Sequence, residues 1–402
     1  VSIEPYRKGS TSAMNPLNEV DQALANQLID VRRNLHREPE LAYEEFRTTE
    51  KLREWLTHAN IHILDLPLQT GLIAEIGQEK GPIVAIRCDI DALPIDEQTE
   101  LPFASEVPGK MHACGHDFHT ATILGAALLL KAREGELPGR VRVLFQPAEE
   151  TGHGAESVIA SGGLKDVAAI FGLHNSPDLP TGVFGTRTGA LTAGVDRFEI
   201  TVKGVGAHAA TPEKGVDTIV TSAQIITALQ TIVSRQNSST EPVVLSVTRI
   251  NGGFTWNVLP EQVELEGTVR TYNEEIRRLI PIQMSRIIEG VAAAAGAEAQ
   301  LHWYPGPPAT INHGEWADFT KEIASQAGYD VHDIPPQMGG EDFSLYLQQI
   351  PGAFVNIGTG PAYALHHPRF DVDEAAILPA AKYFALLAEQ ALVKLQETAN
   401  NS

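Results

Sequence analysis

The chain has 402 residues, 43% apolar and 20% charged, with 51 acidic against 30 basic side chains and a formal charge of -21. Such a length exceeds one ordinary core and predicts two domains, and such a composition belongs to a globular protein rather than a disordered one. The acidic excess argues against a nucleic-acid partner, because that affinity rests on Lys and Arg neutralising phosphates.

No window approaches 18 uninterrupted apolar residues, and the N-terminus lacks an apolar signal-peptide core. The expectation is a cytoplasmic protein with no membrane partner. Two cysteines, Cys88 and Cys114, make no disulfide framework and fit a reducing compartment. Val1 to Ala13, ahead of Met14, read as a leftover of expression and are set aside from the fold.

From Pro16 to His36 the apolar positions Val20, Leu24, Leu28, Val31 and Leu35 recur at helical spacing. A second helical pattern runs from Tyr43 through Leu52, Trp55 and Leu56, with Pro39 marking the break. Apolar runs at Gly71 to Ile76 and Ile83 to Ile86 predict strands, the second ending in Asp89-Ile90-Asp91. Acids at the end of a buried strand are either ligand-binding groups or a solvated turn. After Met111-His112-Ala113-Cys114-Gly115-His116-Asp117-Phe118-His119 comes a helix over Thr120 to Ala132. A strand at Val141 to Phe145 then leads into Glu149-Glu150, and a run at Val167 to Leu173 ends in His174. This alternation is the rhythm of a doubly wound α/β sheet that collects ligands from successive loops.

Beyond Gly189 the pattern changes. Phe198, Ile200 and Val202 alternate with polar residues as in a half-exposed strand, and Val216 to Val233 is helical. Strands at Val243 to Ile250 and Gln262 to Arg270, a helix from Glu274 to Ala295 that Pro281 starts or kinks, and a strand at Ala299 to Tyr304 complete the order βαββαβ. That order is the ferredoxin-like plan. The expected organisation is a main domain over residues 14–190 and 305–402 with a satellite domain inserted at 191–304.

Cys114 and His116 sit two apart before a helix, where both could turn to one point. Thiolate with imidazole suits zinc and its neighbours better than Ca²⁺ or Mg²⁺. A buried thiol beside a helix-capping histidine is the plainer alternative. Glu149 and Glu150 could supply a proton acceptor and a metal ligand, or simply be solvated. Convergence with His174 and with His366, in Leu365-His366-His367-Pro368, would favour the metal.

With these residues the chain resembles the amidohydrolase branch of the aminoacylase and glutamate-carboxypeptidase metallopeptidases, which includes hippurate hydrolases, N-acyl-amino-acid amidohydrolases and auxin-conjugate hydrolases. The likeness covers nearly everything after Met14. It rests on His36-Arg37-Glu38-Pro39-Glu40-Leu41, Asp89-Ile90-Asp91-Ala92-Leu93-Pro94, the 111–120 cluster, Glu149-Glu150, Gly172-Leu173-His174, Gly206-Ala207-His208-Ala209, Gly340-Glu341-Asp342-Phe343, and Leu365-His366 through Phe370-Asp371. The resemblance implies two divalent metal ions held by Cys114, His116, Glu150, His174 and His366, with Cys114 bridging and Glu149 as general base. Zinc is favoured by the thiolate, while manganese, cobalt and nickel stay open, since other branches replace the cysteine pattern with aspartate and histidine.

The resemblance further implies that His208 stabilises the oxyanion, in related dimers from the neighbouring subunit, and so a homodimer through the inserted domain. Asn257 and Arg270 match positions that hold the substrate carboxylate, a role that suits the guanidinium fork. An exposed cross-strand pair of Arg270 with Glu264 or Glu266 is the rival account. Asp91 is expected to support a ligand. His112, His119, His153 and His367 are expected to be supporting or structural, and Cys88 part of the core. The implied reaction cleaves a small N-acyl amino acid carrying an acetyl, benzoyl or indolyl-acetyl group. A dipeptidase or carboxypeptidase, an N-acetyl-diaminopimelate-type deacetylase, and a non-catalytic acyl-amino-acid-binding protein are the alternatives.

Overall fold

The computed structural model describes residue 3, residues 19–78, 80–360 and 363–401. Apart from Ile3, the segment read as an expression leftover lies outside the described residues. The chain forms two compact units, one of Val1–Leu191, Ile311–Pro335 and Asp342–Ser402, the other of Thr192–Thr310 and Pro336–Glu341.

In the first unit eight strands form one mixed sheet. Across it they run His62–Ile63, Leu72–Gly77, Arg140–Gln146, Ile83–Asp89, Val167–Ser176, Gly352–Gly358, Val183–Thr186 and Asp330–Asp333. The central strands Arg140–Gln146, Ile83–Asp89, Val167–Ser176 and Gly352–Gly358 are parallel to one another. Ile83–Asp89 is buried at every position, as a strand covered on both faces must be. On one face lie the helices Glu19–Arg37, His116–Lys131 and Ile377–Asn401, packed through Leu28, Leu124 and Leu387; on the other, Gly154–Ala160 and Ser344–Leu347 pack through Val158 and Tyr346. By length and composition Glu374–Asn400 could cross a membrane, but 61% of that apolar stretch is buried within the fold.

Two elements extend beyond their apolar patterns. The helix expected from Thr120 begins at His116, and the strand expected to end at Leu173 continues to Ser176, so His174 lies inside it. Backbone pairing with Gly352–Gly358, which sets His174 opposite Asn356, carries the strand through polar residues that periodicity ignores.

The His36 motif is a buried charge network. Arg32 Nε donates to Asp117 Oδ2 at 3.0 Å, and the two ring nitrogens of His36 lie 2.8 Å from Asp117 Oδ2 and 3.2 Å from Glu97 Oε1. Burial works against the imidazolium, but bonds to Asp117 and Glu97 outweigh it and raise His36 to about 9. A pKa raised on folding stabilises the fold below the unfolded value near 6.5, and the contribution disappears as pH rises through about 9. His36→Gln should therefore cost on the order of 3 kcal/mol at pH 6 and much less near pH 10. Denaturant midpoints of the two proteins at both pH values check this; an equal deficit at both would show that the charge is not responsible.

The second unit is a four-stranded antiparallel sheet ordered Val243–Gly252, Gln262–Thr271, Gly194–Lys203 and Glu298–Pro305. The first strand in sequence thus lies between the third and fourth, the ferredoxin-like order. Helices Thr218–Thr231 and Glu274–Ala294 bury Ile225, Leu229, Ile280, Met284 and Ile288 against Phe198, Ile200, Val263 and Leu265. Pro281 neither starts nor interrupts its helix. Asn273 sets the start by accepting from Glu275 N and Ile276 N, and the helix continues past the one backbone donor that proline removes.

Candidate metal centre

Cys114, His116, Glu149, Glu150, His174 and His366 arrive on four separate segments of the first unit. Gly115, at φ 90°, separates the first two, and a Cβ there would meet Asn175 Oδ1 at 2.2 Å. Only glycine lets the Cys114–His116 turn lie against the strand that carries His174. His366 holds φ 65°, and its amide donates to Ala113 O at 2.8 Å, tying its loop to the same turn.

The ligand atoms converge. Cys114 Sγ is 3.4 Å from His174 Nε2, and His366 Nε2 is 3.4 Å from Glu150 Oε1. His116 Nε2 lies 3.9 Å from Glu150 Oε1 and 4.0 Å from Glu149 Oε2. Three triads, Cys114-His116-His174, Cys114-Glu150-His366 and His116-Glu149-Glu150, each gather their atoms within 4.8 Å. Cys114, His116 and Glu150 each belong to two of the three, so the triads join into one continuous cluster of metal-ligating side chains.

The donor chemistry fits divalent cations. His116 Nδ1 bonds Asp91 Oδ1 at 3.2 Å and His174 Nδ1 bonds Asn175 O at 2.7 Å, which turns both Nε2 atoms into the cluster. His116 Nε2 and Glu150 Oε1 are buried with no hydrogen-bond partner, a cost that coordination would remove. Burial and the adjoining Glu150 and Glu149 carboxylates push the Cys114 thiol up, so a thiolate there requires a cation beside it. Burial together with His119 holds His174 down to about 3, leaving the neutral imidazole that binds metal.

Asp91 sits where a supporting group belongs, bonded to His116 and accepting from Glu150 N at 3.0 Å. Residues read as ordinary also prove central to the packing. Asp89 Oδ1 bonds His119 Nδ1 at 2.6 Å, while His119 Nε2 accepts from Asn175 N at 2.9 Å. Arg87, fully buried, donates to Gln146, Asp89 and Asp342. The available signal was two opposite charges two residues apart, on one face of an apolar strand.

His208, Asn257 and Arg270 belong to the second unit. His208 is exposed and pairs with Val258 in a short ladder, and Asn257 O accepts from Ala209 N at 3.0 Å, so those two are neighbours. Arg270 does not pair with Glu264 or Glu266. Glu266 is taken by Arg197 and Arg249, whereas Arg270 donates to Thr268 Oγ1 at 3.1 Å and Met338 O at 3.3 Å.

Residues 85–390 match the model of peptidase family M20/M25/M40. An N-acetylcysteine deacetylase of Bacillus subtilis is 52% identical over 370 residues, covering 92% of this chain and 97% of the relative. A second Bacillus subtilis protein, an N-acetyl-L-cysteine deacetylase, is 46% identical over 385 residues, covering 96% and 92%. A solved Bacillus subtilis structure, described as a dinuclear metal binding peptidase from the M20 family, superposes with TM-score 0.83 at 49% identity, covering 92% of this chain and 99% of that one.

Proposed function

The chain belongs to peptidase family M20/M25/M40 and is a metal-dependent hydrolase, and from that premise we propose that it cleaves the amide of an N-acyl amino acid, with a small acyl group such as acetyl preferred over benzoyl or indolyl-acetyl. The observation that carries this proposal is the convergence of Cys114, His116, Glu150, His174 and His366 around one thiol with a second, adjacent carboxylate, Glu149. The two relatives' deacetylase names support the small acyl group.

Those five residues would hold two divalent ions, zinc first by the thiolate and imidazole donors, with manganese, cobalt or nickel as substitutes. Bound there, the ions would polarise the amide carbonyl and acidify a water. Glu149 accepts a proton from the attacking water through its carboxylate and passes it to the departing nitrogen. Asp91 keeps the proton on His116 Nδ1, so that Nε2 stays a ligand. His208 donates to the oxyanion, and Asn257 and Arg270 hold the substrate carboxylate, in a homodimer formed through the inserted unit.

Chelation followed by dialysis should remove more than about 90% of turnover, and readdition of one divalent metal should restore it. Tested on N-acetyl-cysteine, N-acetyl-methionine, N-benzoyl-glycine, an indolyl-acetyl amino acid and a dipeptide, the reloaded protein should show its highest kcat/KM on an N-acetyl amino acid. Turnover indifferent to chelation, or confined to the dipeptide, would sink the proposal.

A further inference from the structure

Glu149 opens a single 3-10 turn, Glu149–Thr151, entered through Ala148 at φ 56° and ψ 36° and left through Gly152 at φ 74°. A left-handed alanine is strained and persists only where its surroundings dictate it. Two buried carboxylates do so, one on each side of Glu149. Glu45 Oε1 accepts from Ala148 N at 2.8 Å, and Asp91 Oδ2 accepts from Glu150 N at 3.0 Å.

Glu45 is the farther of the two in sequence, at the residue before the helix Phe46–His58 and 0% exposed. Its second oxygen accepts from the Thr70 hydroxyl at 2.7 Å. Its own carbonyl accepts from Thr49 N at 2.9 Å and Thr49 Oγ1 at 2.6 Å, and Thr49 Oγ1 in turn accepts from Gly71 N at 2.7 Å. Gly71 lies so close to the strand exit that a Cβ would meet Phe145 O at 2.5 Å and Pro147 Cδ at 2.7 Å. Glu45, Thr49, Thr70 and Gly71 thus grip the chain on the approach to Glu149.

Stability alone does not call for an acid here. The carboxylate meets neutral donors, the Thr70 hydroxyl and the Ala148 amide, and burial raises it to about 7. Burying a charge-bearing group on so few donors is unfavourable unless the geometry it enforces is needed.

We infer that Glu45 is a positioning residue for hydrolysis, which through the Ala148 amide fixes the backbone from which Glu149 reaches its proton. The inference rests on Glu149 being the proton acceptor. Misplacement of a catalytic group by about 1 Å costs on the order of 10²-fold in rate, with substrate binding spared.

The test is steady-state kinetics with metal analysis on the metal-loaded full chain, using N-acetyl-methionine. Glu45→Ala should lower kcat about 10²-fold with KM changed less than about twofold and the metal content of the parent. Glu45→Gln, which keeps an oxygen for Ala148 N and can donate to the Thr70 hydroxyl, should recover kcat to within about fivefold of the parent. The inference is overturned if Glu45→Ala keeps parental kcat, if its loss lies in KM or metal content, or if glutamine rescues nothing. Should the alanine variant not fold, Glu45→Asp, one methylene shorter and unable to span both donors, should lower kcat about tenfold at unchanged KM, and parental kcat overturns the inference. Glu149→Gln in the same assay separates the two ideas. If it turns over like the parent, the proton-acceptor assignment fails; if it is inactive while Glu45→Ala is not, only the role of Glu45 fails.

Discussion

Glu149→Gln should keep its metal ions and its fold while kcat falls by about 10³-fold or more, equivalent to about 4 kcal/mol in the barrier. The amide matches the carboxylate in size and occupies the same turn, so the coordination proposed for Cys114, His116, Glu150, His174 and His366 is left alone. What it cannot do is accept a proton. Glu149 Oε2 lies 4.0 Å from His116 Nε2, close enough to the cluster to meet a water held there. Turnover numbers beside metal stoichiometry by mass spectrometry decide the matter. A variant with more than about a tenth of parental turnover would place the proton acceptor elsewhere.

The largest stability effect is expected at Arg87. Its guanidinium donates to Gln146 Oε1, Asp89 Oδ2 and Asp342 Oδ1, each at 2.8 Å, and it is 0% exposed. Arg87→Met fills the volume but leaves buried carboxylates without their cation, which costs about 3–5 kcal/mol and lowers Tm by roughly 5 °C. Asp342 is the more vulnerable partner, since burial raises it to about 6 even beside Arg87. In Arg87→Met/Asp342→Asn one of the stranded charges is gone, and part of the loss should return. Calorimetry on the parent, single and double variants checks both statements; a single variant within about 1 kcal/mol of the parent would refute the first.

The two predictions touch different layers of one architecture. Glu149 is expected to act through chemistry at its own carboxylate, whereas Arg87 acts by holding Asp89, Gln146 and Asp342 together beneath the cluster. Gln146 and Asp342 bond each other as well, at 2.8 and 2.9 Å, and Asp342 accepts from Ala155 N just beyond the acid pair. Loss of Arg87 should therefore lower activity only as the fold loosens.

From the sequence alone, the alternation of Phe198, Ile200 and Val202 gave the buried face of the second unit's sheet, and the order βαββαβ gave its plan. Residue type and motif order likewise picked out the candidate ligands, because donor chemistry is written in the side chains themselves. Only the tertiary structure decided the rest. His116 lies inside its helix and His174 inside its strand, because backbone pairing ignores the polarity change at which periodicity stops. Arg87 meets Asp342 across 255 residues of sequence, and Glu45 meets Ala148 across 103. A buried charge is tolerable only where distant partners satisfy it, and no local pattern encodes which partners the fold will bring.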